Sequence, residues 1–119
     1  MSDAVQIGGR PHPIALPTSL VDCQEIHDFA YHHAGGVTSV RAFAALAVLC
    51  IPSLRPPGLP AWNGENGSQI GKLAGDHLMR VYGLSPMKIV ELVKGADLFG
   101  RLRAAIPAEE EIQAEIKNS

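Results

Sequence analysis

The sequence lacks the marks of most specialised protein classes. Its 119 residues carry 10 Lys and Arg against 12 Asp and Glu, a net charge of -2. It therefore has no basic excess with which to neutralise nucleic-acid phosphates. Two cysteines are too few for a disulfide framework, and the composition excludes collagen-like and coiled-coil chains. The longest apolar run, Ala42 to Ile51, is far short of the roughly 20 residues needed to span a bilayer. Residues 1–17 have no basic start, continuous apolar stretch or small-residue cleavage site, so they do not read as a secretory signal. A cytoplasmic protein with reduced thiols is the expectation. No GxxxxGK[ST], no GxGxxG after a strand, and no CxxC, HxxxH or HExxH occurs. The expectation is accordingly no enzyme, no metal and no cofactor.

What is present is a chain long enough for a single core, one that buries about two-thirds of its unfolded surface. The segment 1–17 contains Gly8-Gly9 and prolines at 11, 13 and 17, a pattern that favours an extended arm over a helix or a regular strand ladder. Helical periodicity begins after Pro17. Thr18 or Ser19 supplies a cap, Asp22 lies in the first turn and Gly35-Gly36 ends the element. On that helix Leu20, Cys23, Ile26, Phe29, Ala30 and His33 share one face, while Gln24, Glu25, Asp28 and His32 share the other. Thr38 to Ile51 follows, charged only at Arg41, and reads as a central helix surrounded by the rest of the domain.

Residues 52–67 then hold four prolines, three glycines and the single tryptophan. A loop of that length inside a small domain is a candidate functional segment. Ser68 caps a third helix through Tyr82, with Ile70, Leu73, Ala74, Leu78 and Val81 on its apolar side. Gly83 ends it, and Ser85-Pro86 starts the next helix at once. Gly95 and Gly100 predict a break before Leu98, Phe99, Leu102 and Ile106, and Pro107 closes that stripe. The tail 108–119 is a short amphipathic segment with Ile112 and Ile116 four apart. The expected architecture is all-α: an extended arm (1–17), a domain of four main helices (18–107) and a C-terminal helical tail (108–119).

Three constellations bear on chemistry. Cys23 and His27 are four apart on one helix, and Cys50 and His77 could complete a four-ligand set, but none of the usual ligand spacings is present. Buried thiols that serve packing are the plainer reading. The stretch GDHLMRVYGLSPMKIVEL, Gly75 to Leu92, resembles a helix-turn-helix unit in the placing of Leu78, Tyr82, Gly83, Leu84, Ile89 and Leu92. That resemblance implies a recognition helix starting at Ser85 and offering Lys88 and Lys94 to DNA. Finally, Trp62 lies among prolines beside Leu54 and Leu59, and the tail adds Ile112 and Ile116. These are aromatic and aliphatic anchors of the kind found at protein interfaces, although Trp62 could equally close the core as a lid. The functional expectation is a non-enzymatic adaptor, regulator or assembly-chaperone-like protein that binds another protein or itself through these residues. The alternative is a small helix-turn-helix DNA-binding regulator.

Overall fold

The computed structural model describes residues 3–33 and 39–106. The molecule is mostly helical, with one small two-stranded sheet. The chain runs β1 (Ala4–Ile7), β2 (Arg10–Pro13), α1 (Leu20–His33), α2 (Ser39–Cys50), a 3₁₀ turn (Pro52–Leu54), α3 (Gly67–Val81), α4 (Pro86–Gly95) and α5 (Leu98–Ala105). Among the described residues no helix is long and apolar enough to cross a membrane.

The centre is α2. Every residue from Ala42 to Ile51 is buried, and α1, α3, α4 and α5 all pack against it. The approach of α3 is the closest. A Cβ on Gly71 would come within 2.5 Å of the Arg41 carbonyl oxygen, and one on Gly67 within 2.7 Å of the Phe29 ring. Glycine at 71 lets the backbones of α2 and α3 meet where a larger side chain would hold them apart, and glycine at 67 leaves room for the Phe29 ring. This rotates the buried stripe of α3 onto Gly67, Ile70, Gly71, Ala74 and Leu78. Leu73 and Val81, expected on the apolar side, are consequently 40% and 62% exposed. Leu20 of α1 also stays exposed, while Cys23, Ile26 and Ala30 are buried as expected.

The start and stop signals account for most boundaries. Ser19 Oγ accepts the Asp22 N–H (3.3 Å) at the head of α1, and Ser85 Oγ accepts the Lys88 N–H (3.2 Å) ahead of Pro86. Gly83, at φ +66°, turns the chain out of α3. The break near Gly95 is made by Asp97, which adopts a left-handed conformation and caps α5 through Gly100 N–H. The helix α3 differs from expectation: it begins at Gly67, ahead of Ser68, with Asn66 at the cap position. The expected caps and stops at Gly35, Gly36, Thr38 and Pro107, the His33 side chain, and Ile112 and Ile116 with their tail lie outside the described residues.

The N-terminal arm is not a simple extended arm but an antiparallel hairpin turned at Gly8-Gly9, both at positive φ. The register pairs Ile7 with Arg10, Gln6 with Pro11, Val5 with His12 and Ala4 with Pro13. Hydrogen-bonded and non-bonded pairs alternate along such a ladder. Counting from the tight turn puts Pro11 and Pro13 at non-bonded positions, where no N–H is needed. The ladder ends with Ile14 N–H on Asp3 O (2.7 Å). Val5, Ile7, Ile14 and Leu16 pack onto the core, so the arm is part of the domain.

Candidate functional site

The end of α2 organises a concavity built from several elements. A helix leaves its last four carbonyls without intrahelical partners, and here every one is met. Ile51 N–H takes Ala47 O (2.8 Å), and Ala15 N–H takes Cys50 O (2.8 Å). Arg55, folding back from the loop, places Nε on Val48 O (2.8 Å) and Nη2 on Leu49 O (3.0 Å). A guanidinium at this end also offsets the partial negative charge of the helix dipole. The arrangement ties the strap Ala15 to Thr18 to one side of the helix end and the loop to the other.

Between strap and loop lies an open groove of about 470 Å³. Its apolar lining includes Leu16, Ile26, Leu49, Leu59 and Trp62, and its charged lining is Asp22 and Arg55. Trp62 is half-buried, with its ring 5.8 Å from that of Phe29. The segment after it is held by a reciprocal pair of asparagines. Asn63 Oδ1 accepts from Glu65 and Asn66 N–H (2.8 and 2.9 Å), while Asn66 accepts from Asn63 N–H (3.1 Å) and donates to Ala61 O (2.8 Å). This turn starts α3 and fixes the backbone on both sides of the indole. The indole Nε1 is buried and has no acceptor among the described residues.

Of the expected partner-binding residues, the structure brings Leu59 and Trp62 to one groove. Leu54 is not a surface residue: it is fully buried beneath the 3₁₀ turn, where the turn folds it onto the core. Ile112 and Ile116 lie outside the described residues. The sequence reading missed Leu16, Asp22 and Arg55 as groove residues. The Asn63-Gly64 turn was the available signal that this loop has a set shape.

The other constellations separate. Cys23 and Cys50 are free and buried. Cys23 Sγ donates to Pro17 O (3.2 Å). Burial, reinforced by the Cys23 thiol and weakly opposed by Arg55, pushes the Cys50 pKa up to about 12. Burial, with Asp22 adding to it, raises Cys23 as well. Thiols in this condition are protonated at neutral pH and poor nucleophiles. His27 stacks on Tyr31 and meets the edge of Phe99, whereas His77 lies against Tyr82. No group of three or more His, Cys, Asp or Glu suited to a metal occurs among the described residues. On α4, the Ser85 hydroxyl is engaged as the helix cap, Lys88 Nζ lies 3.4 Å from Glu91 Oε2, and Lys94 is exposed in the last turn.

A further pair was not foreseen. His12 Nδ1 lies 2.8 Å from Ser53 Oγ, with Tyr82 donating to Ser53 O (3.2 Å), and the contact fastens the hairpin to the 3₁₀ turn.

Comparisons with protein-family models, with curated proteins and with solved structures give no match.

Proposed function

We propose that the protein is a non-enzymatic adaptor, regulator or assembly factor that binds another protein, or a second copy of itself, through the groove bounded by Leu16, Leu59 and Trp62. The observation that carries this reading is an open apolar groove with a tryptophan wall and one charge of each sign, built on a loop pinned at both ends. Concave apolar sites with a few polar groups are where ligands bind, and tryptophan is over-represented among residues that dominate interface energies. The prolines and asparagine turns limit the entropy lost when such a loop binds.

The test is light scattering of the chain alone and of complexes captured from lysate, with Leu59→Asp and Trp62→Ala beside the unaltered chain. Both variants are expected to keep their helical circular dichroism and to lose the partner or the self-association. Retention of the same complex by both variants would sink the reading.

The alternative, a helix-turn-helix DNA-binding regulator acting through Ser85, Lys88 and Lys94, draws support from the succession of α3, a short turn and α4, both helices resting on α2. It predicts an affinity for DNA that falls steeply with salt. Absence of any mobility shift with genomic fragments at low salt removes it.

A further inference from the structure

The walls of the groove carry more than apolar side chains. On one side the strap runs through Pro17, and on the other Leu59 to Trp62 runs through Pro60. Among the described residues the backbone N–H groups of Leu16, Thr18, Ala61 and Trp62 make no hydrogen bond. Arg55 uses Nε and Nη2 on α2, leaving Nη1 without a partner, and the Asp22 carboxylate has no ion pair. Two walls whose residues carry unbonded backbone N–H groups therefore flank one apolar floor, with a cation and an anion among the lining groups.

A helical ligand answers this poorly, because its carbonyls are already taken by its own N–H groups. An extended segment has carbonyls free along its whole length, and main-chain hydrogen bonds supply affinity in such complexes while side-chain pockets supply specificity. Proline and aliphatic residues suit the floor, since a polyproline conformation loses little entropy on docking against an aromatic wall.

We infer that the groove takes an extended peptide segment of a partner protein, rich in proline and aliphatic residues and carrying an acidic and a basic side chain to meet Arg55 and Asp22. This rests on the protein-binding reading above and narrows it to one kind of ligand.

The experiment is selection of a 12-residue random peptide library displayed on phage against the full chain, followed by titration of the enriched peptides into ¹⁵N-labelled protein. The chain has one tryptophan, so a single indole N–H resonance reports on the groove. The inference expects enriched sequences without the i, i+3, i+4 apolar spacing of a helix. It also expects shifts of the indole and of the Leu16, Thr18 and Ala61 amides, and at least a tenfold loss of affinity in Leu59→Asp. Asp22→Asn, which leaves the apolar floor intact, should weaken binding several-fold in low salt. No enrichment, a helical consensus, or peptides that bind Leu59→Asp as well as the unaltered chain would overturn it. So would a doubled mass showing that a second copy fills the groove. The two readings fail separately. If Leu59→Asp loses its cellular partner while no extended peptide binds, only the inference about the ligand falls. If the partner is indifferent to Leu59→Asp, the groove reading falls with it.

Discussion

Gly71 and Gly95 are both helical glycines, yet they should respond to alanine in opposite directions. At Gly71 a Cβ meets the backbone of Arg41, and helical backbone does not move aside easily. Gly71→Ala should cost about 1–3 kcal/mol, as overpacking commonly does, read as a lower denaturation midpoint in guanidinium. At Gly95 a Cβ meets nothing within 4 Å, so Gly95→Ala should gain about 0.5–1 kcal/mol from helix propensity and a less mobile unfolded chain. Equal effects from the two substitutions would contradict the close approach of α2 and α3. Cys50 makes a pH prediction. Its native pKa of about 12 lies above the ordinary 9.0 because it is buried. Between those values the unfolded chain has released the thiol proton and the native chain still holds it, so stability falls as pH rises. The slope approaches about 1.4 kcal/mol per pH unit within that window and vanishes below it. Cys50→Ala removes this slope, so the stability gap between variant and parent should narrow from pH 9 to pH 12. A gap that stays constant would place the thiol in a far wetter environment than the structure shows.

Elements were legible in the sequence where a period and a punctuation mark agree. The three-to-four-residue apolar spacing of α1, α3 and α4, together with Ser19, Gly83, Ser85-Pro86 and the break after Gly95, placed those helices within a residue or two. The hairpin was not legible, because four-residue strands offer little alternation to read and its prolines argue against a ladder. The register resolves this by placing Pro11 and Pro13 where the ladder asks for no donor. The onset of α3 went unread for a similar reason. Ser68 is a good cap by type, but the Asn63 and Asn66 amides had already organised the turn one residue earlier. Arg55 shows the limit most clearly, since nothing local indicates that a loop arginine returns to the end of the preceding helix. Arg55→Met keeps the aliphatic stem and removes both hydrogen bonds to α2. The expected destabilisation is about 1–3 kcal/mol, given partial exposure of the guanidinium and two carbonyls left short of partners. A thermal melt within a degree of the parent would show that water replaces the arginine without penalty. Ser85→Ala should cost about 1 kcal/mol by loss of the α4 cap.

The molecule is built outward from a helix with no exposed face, and its groove belongs to no single element. Strap, first helix, helix end and loop each contribute a wall, from positions up to 47 residues apart between Ala15 and Trp62. That is why Trp62 and Leu59 could be suspected from their types while Leu16, Asp22 and Arg55 could not. The same construction orders the stability of the parts. Residues Ala42 to Cys50 of α2 are buried, and amides along this stretch should exchange with solvent only through global unfolding. The hairpin is a two-stranded sheet, marginal in isolation. It is held by its packing against the core, by His12 on Ser53, by Asp3 on Arg101 at 3.3 Å, and by Ala15 on Cys50. It should open first, and because the strap continues directly from it, the groove wall at Leu16 should loosen with it. Removing the Ser53 hydroxyl tests that order without touching the groove. In Ser53→Ala one hydrogen bond of about 0.5–1.5 kcal/mol is lost. Amide exchange at Val5, Ile7 and Ile14 should accelerate roughly threefold to tenfold at unchanged α2 rates, since the substitution acts on a local opening and not on the global one. Hydrogen exchange followed by NMR separates the two. Uniform acceleration through α2 and the hairpin would mean that the strap opens only when the whole molecule does, and that the groove wall is as rigid as the core behind it.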